Sequence, residues 1–317
     1  MNSEVDIKAL SRLYTPYTTA RIVLDWLTII LAIYYGELSD SLFVTALCII
    51  LIGSRMHALG ILSHELVHHR YLKNRKASDL IGNLLLCWPL FFTLEGYRAQ
   101  HLRHHHQLNT DEDPDFYRRV GEKQWQFPMK RSEFLWMLFK DLSGLNILQY
   151  PKKIFTVKTN NKKLAIKESY LTKFYILKMS LFYIFVASLI SYFRAWDLFF
   201  LYWILPIATS LKLIKRIRAI AEHFAVPRGE FEEVTRTVIA TPFESYLIAP
   251  HNVAFHTEHH RYSSVPFYNL EALHKKALQN GELNKWGHIT HGYLNGLIKE
   301  ASQSPMEVSP SSPVAIR

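Results

Sequence analysis

The chain has 317 residues, a formal net charge of +10 and a hydrophobic fraction of 49%. Several nearly uncharged runs are long enough for helices that cross a bilayer core, which takes about 20 residues, so a purely soluble protein is excluded. The basic residues lie mostly beside these runs, as in cytoplasmic loops that face anionic lipid head groups, and this placement argues against a nucleic-acid partner. Two cysteines inside apolar runs, Cys48 and Cys87, leave no disulfide framework and no thiolate zinc site.

The apolar runs predict four transmembrane helices arranged as two hairpins. Spans at about residues 20–35 and 42–62 form the first hairpin, and spans at about 174–193 and 198–211 form the second. The turn at residues 36–41 carries no Lys or Arg, whereas four basic residues follow the first hairpin within 70–76. By the positive-inside rule, both hairpins begin and end in the cytoplasm, which also places both chain termini there.

A shorter apolar run at residues 79–95 is interrupted by Pro89. We predict an in-plane or re-entrant segment here, because a full crossing would separate the histidine-rich stretches on its two sides. Residues 1–300 are predicted to form a single all-α membrane domain with a cytoplasmic helical cap. The Ser- and Pro-rich residues 301–317 have little to bury and are predicted to be a disordered tail.

Histidine is the unusual residue of this chain. Most of the 16 histidines fall in HELVHH at 64–69, HLRHHH at 101–106 and HTEHH at 256–260, and His223 follows the last span. Histidines three or four positions apart share one face of a helix, whereas adjacent ones diverge by about 100°. An adjacent pair can therefore reach two neighbouring metal ions. Nine or ten imidazoles also exceed the needs of one four-coordinate zinc, so the pattern predicts two metals.

Ligand type alone leaves the metal open, because imidazole binds Fe, Zn, Cu and Ni. The isolated histidines are interpreted as surface or core residues: His57, His274, His288 and His291. HELVH also matches the H-E-x-x-H motif, in which Glu65 would serve as the general base of a zinc intramembrane protease. That hypothesis leaves HLRHH and HTEHH without a role. A non-catalytic metal-binding membrane protein is a third alternative.

Taken together, the three stretches resemble the histidine boxes of the membrane fatty acid desaturase superfamily. HELVHH matches the first box, HLRHH the second and HTEHH the third. NTDEDPDF, RAIAEHF and NVAFHTEHHRYSSVPFYNLEALH look like the corresponding segments of bacterial members. The resemblance covers roughly residues 40–275.

The resemblance implies four transmembrane helices, a cytoplasmic cap and a non-haem centre of two Fe ions. The metal ligands that it implies are His64, His68, His101, His104, His105, His223, His256, His259 and His260. His69 could replace or supplement His68 as a ligand, and Asn252 could hold a water at one iron. Asp113 and Asp115 would orient histidine N–H groups, or else belong only to a loop turn.

The activity implied by the resemblance is O2-dependent desaturation of fatty acyl chains of lipids. Lipid hydroxylases and carotenoid ketolases of the same superfamily share the boxes and are the alternatives. The sequence contains no HPGG stretch of a cytochrome b5-like domain, so we expect an external electron donor such as ferredoxin, rubredoxin or cytochrome b5. The boxes are expected in the cytoplasm, at a bacterial inner membrane, with the endoplasmic reticulum as the alternative location.

Overall fold

The computed structural model describes residues 6–119, 121–146, 172–226 and 234–302. It is mainly helical. The predicted tail at 301–317 falls almost entirely outside the described residues, and the single-domain boundary at residue 300 stays a prediction. The basic cluster around residue 153, which the topology prediction uses, also lies outside them.

Four helices are long and apolar enough to cross a membrane, as predicted. A short helix, α1 (Ile7–Leu10), precedes the first two spans, α2 (Thr15–Leu38) and α3 (Leu42–Val67). The third span is α8 (Lys173–Tyr192), and the fourth covers Trp196–His223. Each predicted span falls on one of these helices, but α3 and the fourth span run further than the hydrophobic pattern indicated. Both extensions carry histidines.

The fourth span is not one regular helix. It consists of α9 (Trp196–Phe199), a π-helical turn (Phe200–Ile204), α10 (Leu205–Ala208) and α11 (Ser210–His223). Pro206 lies just after the π turn, and proline lacks the N–H that a regular helix would use at that point. The break therefore has a local sequence cause.

The predicted in-plane or re-entrant segment is a sharply bent helix pair. Helix α4 (Arg75–Gly82) continues through a π turn (Asn83–Cys87) and a 3-10 turn (Trp88–Leu90), and α5 (Leu94–His106) then leaves at 90°. Phe91 at the corner has a φ of 61°, a left-handed conformation that ends a helix. Thr93 accepts the Gly96 N–H at 3.2 Å and so starts α5. The side of the membrane on which this pair lies stays a prediction.

The remaining elements pack beside the end of α3 and α11. The helical ones are α6 (Pro114–Tyr117), α7 (Arg131–Leu142), α12 (Pro242–Leu247), α13 (His256–Arg261), α14 (Leu270–Gln279), α15 (Leu283–Trp286) and α16 (Ile298–Ala301). Strands β1 (Arg236–Ile239) and β2 (His288–His291) form a parallel pair in which Arg236 lies opposite His288. The all-α prediction missed this small sheet.

Three clusters of buried apolar side chains hold these elements together. The largest joins α2, α3, α5 and the fourth span around Ile52, Met56 and Leu62, which have almost no exposed surface. A second lies under α7, α11 and β1, and a third under α14 and α15. The first two clusters flank the histidine-bearing ends of α3 and α11, so those helix ends are fixed by burial on two sides.

Candidate metal centre

All nine histidines predicted as ligands lie together, and they divide into two groups. Within each group, one nitrogen from every ring lies within 4.8 Å of the others. The first group contains His64, His68, His101, His105 and His259, and the second contains His104, His223, His256 and His260. Their role as metal ligands stays a prediction, and every histidine of the two groups is among the residues predicted from the sequence.

The first group draws on three elements. His64 lies in the last turn of α3 and His68 directly follows that helix, while α5 and α13 supply the other three rings. The Nε2 atom of His101 lies 3.0 Å from that of His68 and 2.9 Å from that of His105. The Nε2 atoms of His105 and His259 are 3.1 Å apart. Spacings of four residues place His64 with His68, and His101 with His105, on one face, as the helical period requires.

The second group forms where α5, α11 and α13 meet. The Nε2 atom of His223 lies 3.1 Å from that of His104 and 2.8 Å from that of His256. The ring of His260 packs edge-on against all three of these rings. Three helices that are far apart in sequence thus present their nitrogens to one point.

Adjacent histidines divide between the two groups. His104 belongs to the second group and His105 to the first, and the same division separates His260 from His259. The two groups touch where the rings of His105 and His260 stack with centroids 4.2 Å apart. The divergence of about 100° between neighbours on a helix thus gives two adjacent sites rather than one.

The donor chemistry of both groups fits metal ions. Nitrogen pairs 2.8–3.1 Å apart match two ligands at right angles on one metal at about 2.1 Å. In each group one buried ring nitrogen, of His64 and of His260, has no hydrogen-bond partner among the described residues. Burial lowers the pKa of His68 to about 4, and burial together with neighbouring histidines lowers the pKa of His259. These lowered pKa values keep the rings of His68 and His259 neutral at physiological pH, which is the form that binds metals.

Carboxylate oxygens contact the Nδ1 atoms of two of the rings, on the side opposite Nε2. Asp113 accepts from His104 Nδ1 at 2.9 Å, and Glu222 lies 3.4 Å from His256 Nδ1. Burial alone would raise the pKa of Asp113, but the contact with His104 and two backbone N–H groups hold it below its ordinary value. An ionised carboxylate behind an imidazole fixes the tautomer and leaves Nε2 free for a metal. Sequence reasoning missed Glu222, although it directly precedes His223.

The other candidate site residues lie outside both histidine groups. His69 follows the end of α3 with a φ of 57°, which turns the chain away after His68. Asn252 donates to the Phe267 carbonyl at 3.0 Å. Asp115 forms an ion pair with Arg119 at 3.2 Å. His106, the last residue of α5, is exposed.

The contacts of Glu65 are those of a structural residue and not those of a general base in a zinc protease. Its carboxylate accepts the backbone N–H of Phe267 at 3.1 Å and lies 3.9 Å from Nδ1 of the neighbouring His64. A general base of an H-E-x-x-H protease would instead face the metal-bound water. The Glu65 contact ties the end of α3 to the turn that follows α13.

The isolated histidines mostly make structural contacts, as interpreted from the sequence. His274 Nδ1 lies 2.5 Å from Glu258, a buried residue of the third box, and His288 pairs with Glu300 at 3.2 Å. His57 differs, because it lines a cavity and its Nε2 atom has no partner among the described residues.

Arg236 holds the end of α11 and thereby His223. Its side chain is completely buried and donates to the carbonyls of Ile220, Ala221 and Phe224 at 3.0–3.2 Å. These carbonyls belong to the end of a helix, where acceptors lack partners and positive charge is favoured. Glu300 balances the guanidinium at 3.0 Å. No local pattern around Arg236 indicated this role, since the contact spans distant parts of the chain.

A cavity of about 690 Å³ reaches the histidines from one side. Its apolar wall comes from α3, α11 and the corner between α4 and α5, with Met56, Leu90, Phe91, Phe92 and Leu211. Rings of both groups reach its surface: His101, His104, His223 and His256. The cavity has the size of a small-molecule site and gives a substrate access to both candidate metals.

A sequence model of the fatty acid desaturase family matches residues 40–291. The dihydrorhizobitoxine desaturase of Bradyrhizobium elkanii is 26% identical over 274 residues, which cover 82% of this chain and 76% of that protein. The chloroplastic omega-6 fatty acid desaturase of Arabidopsis thaliana is 23% identical over 248 residues, 75% of this chain and 53% of that protein. The sn-1 oleoyl-lipid 12-desaturase of Anabaena variabilis is 21% identical over 276 residues, 80% of this chain and 72% of that protein.

Proposed function

The chain belongs to the fatty acid desaturase family, and from this we propose that it is a membrane-bound non-haem di-iron oxidoreductase that uses O2 to desaturate fatty acyl chains of lipids. The observation that carries the proposal is the division of nine histidines into two adjacent groups of five and four. A single zinc ion binds about four ligands, so it would leave the second group of histidines without a metal. Family membership and this division together disfavour the zinc-protease and passive metal-binding alternatives.

The two histidine groups would each hold one iron. When bound, the irons supply the oxidising power that removes two hydrogens from an acyl chain while O2 and two external electrons are consumed and water is released. The carboxylates of Asp113 and Glu222 lie against the Nδ1 atoms of His104 and His256 and would orient these rings so that Nε2 faces the metal. Arg236 fixes the helix end that carries His223.

The cavity positions the acyl chain and limits water. Its apolar wall offers a long alkyl chain a surface that leads to both histidine groups. Desolvation of that chain is favourable at about 25 cal/mol per Å² of apolar surface removed from water. The protein's residues that line the cavity therefore bind and orient the substrate, and they exclude water from the reacting methylene groups.

Two of the three relatives support an acyl substrate. The names of two of them specify a fatty acid and an oleoyl lipid, whereas the third specifies dihydrorhizobitoxine. Acyl chains of lipids are our proposed substrates, with the histidine-bearing side in the cytoplasm of a bacterial inner membrane. A ferredoxin, rubredoxin or cytochrome b5 would deliver the electrons.

Metal analysis of the purified full chain tests the iron assignment. We expect about two irons per chain, and a single zinc would overturn the proposal in favour of the protease alternative. His259→Ala and His104→Ala should each lower the iron content because each removes a ligand from one group. His106→Ala, in the same box but exposed, is the matched control and should retain both irons.

Lipid profiling tests the reaction. Cells that express the protein with a ferredoxin and its reductase should accumulate acyl chains two mass units lighter, with one additional double bond. A hydroxyl or ketone product instead would replace desaturation by hydroxylation or ketolation at the same centre. An unchanged lipid profile from iron-loaded protein with a working donor would refute acyl lipids as substrates.

A further inference from the structure

Helix α11 carries four basic residues on two faces, and the two faces have different surroundings. At about 100° per residue, Lys212 and Arg216 share one face, while Lys215 and Arg218 share another about 110° away. The sequence alone assigns all four to a cytoplasmic basic loop that faces anionic lipid. Their side-chain contacts separate them.

The two cations of the first face share one buried carboxylate. Asp141 of α7 is completely buried and pairs with Arg216, and it lies 3.7 Å from Lys212 Nζ. Arg216 also stacks over the ring of Trp125. These two cations therefore hold α7 against α11, and they have a structural role.

The second face lines the cavity that leads to the histidines. Arg218 pairs with Glu222 at 2.5 Å, one turn before His223. The side chain of Lys215 is exposed and lines the cavity. It forms no ion pair or hydrogen bond with any described residue. Its ammonium group is thus available to a molecule inside the cavity.

The opposite wall adds more positive charge than negative charge. Arg119 pairs with Asp115, whereas Arg118 donates to the neutral amide oxygen of Gln100 at 2.8 Å and forms no ion pair with any described residue. The cavity lining therefore contains four cations and two carboxylates: Arg118, Arg119, Lys215 and Arg218 against Asp115 and Glu222. A surplus of positive charge beside an apolar wall favours a ligand that is an anion at one end and a hydrocarbon at the other.

We infer that this basic cluster, centred on Lys215, binds the anionic oxygen group of the substrate, a carboxylate or a phosphate. The inference rests on the proposed function and specifies the substrate class for the same site. His57, whose buried Nε2 atom has no hydrogen-bond partner in the described part of the chain, lines the same cavity and adds a polar group. Lys215 lies eight residues before His223, roughly 12 Å along the helix axis, so the hydrocarbon part extends from the anion toward the metal centre.

Binding measurements with two matched pairs of probes test the inference. Palmitate is compared with methyl palmitate, and dioleoyl phosphatidate with dioleoylglycerol, by equilibrium binding to the purified full chain in detergent. At least one anion should bind about tenfold more tightly than its neutral partner. The pair that discriminates identifies the anion as a carboxylate or as a lipid phosphate. Equal binding within both pairs would overturn the inference.

Variants of Lys215 link the preference to this cavity. Lys215→Met should abolish the preference for the anion while leaving the neutral probe unaffected, and Lys215→Arg should retain it. Lys275→Met is the control, because Lys275 is exposed and pairs with Glu271 on α14. If Lys215→Met retained the preference, or weakened both probes equally, the cluster would not be the anion site.

The result is independent of the metal and of turnover. If the protein binds two irons and forms a desaturated product but shows no preference for an anion, the anion-binding role of the basic cluster is refuted and the proposed function stands. A preference for an anion in a protein that binds no iron would support the cluster and refute the proposed function.

Discussion

Two buried side chains of the first hairpin allow a quantitative test of its packing. Arg55 of α3 and Asp25 of α2 form an ion pair with 3.1 Å between Nη1 and Oδ1, and both side chains are 5% exposed. Asp25 also lies 2.7 Å from His251 Nε2, and Arg55 donates to the carbonyl of Tyr246 and stacks on its ring. The pair thus connects both helices to the segment that precedes the third histidine box.

We expect Asp25→Leu to lower the free energy of unfolding by about 3–5 kcal/mol, since it leaves the Arg55 charge buried without its carboxylate. At an effective dielectric constant of 20, the pair's attraction is about 5 kcal/mol at this distance. The double variant Asp25→Leu with Arg55→Leu should lose less than Asp25→Leu alone, because neither charge is then buried. Tryptophan fluorescence during SDS titration of the detergent-solubilised protein measures these differences.

A lipid-facing substitution provides the control for this cycle. Leu31 of α2 is 52% exposed, so Leu31→Ala should change stability by less than about 1 kcal/mol. Additive losses in the Asp25 and Arg55 double variant would refute the reasoning. They would mean that each side chain acts independently and that the ion pair does not explain the cost of the single substitutions.

Three further predictions concern the metal centre, the cap and the topology. Asp113→Asn should weaken iron binding about 10–100-fold in a chelator titration, because His104 loses its charged acceptor; unchanged affinity would contradict that role. Burial alone would raise the pKa of Glu244, but backbone N–H donors hold it below its ordinary 4.5. The stability advantage of the wild type over Glu244→Gln should therefore be present above pH 4.5 and diminish as pH falls below it, which pH-dependent melting would measure. Cysteines placed at Ser39 and Lys73 should be labelled from opposite sides of the membrane, and labelling from one side would refute the hairpin.

The histidine set could be predicted from the sequence because its determinants are local. Spacings of three and four residues fix which rings share a helix face, and the angle between neighbours sends His104 and His105 to different groups. Spacing alone did not decide whether His68 or His69 joins the first group. It depends on where α3 ends, and that end is set by the left-handed turn at His69 and by the contact of Glu65 with the turn after α13.

The features that escaped prediction depend on contacts between distant segments. The two four-residue strands pair across about fifty intervening residues, and neither has an alternating pattern long enough to predict a strand. The carboxylate behind His256 and the guanidinium at the end of α11 are single residues whose partners come from other elements. Helical periodicity identifies which side chains share a face, but not what that face meets.

The basic run at 212–218 shows the consequence for function. The positive-inside rule counts charges near the end of a span and treats Lys212 and Lys215 alike, which is sufficient to orient the helix. Their environments differ because one lies beside the buried Asp141 and the other lines the cavity. A basic residue that served only to orient the fourth span could lie on either face of α11. Lys215 lies within a cavity that also exposes rings of both histidine groups, and from this position we propose that it selects which substrate approaches them.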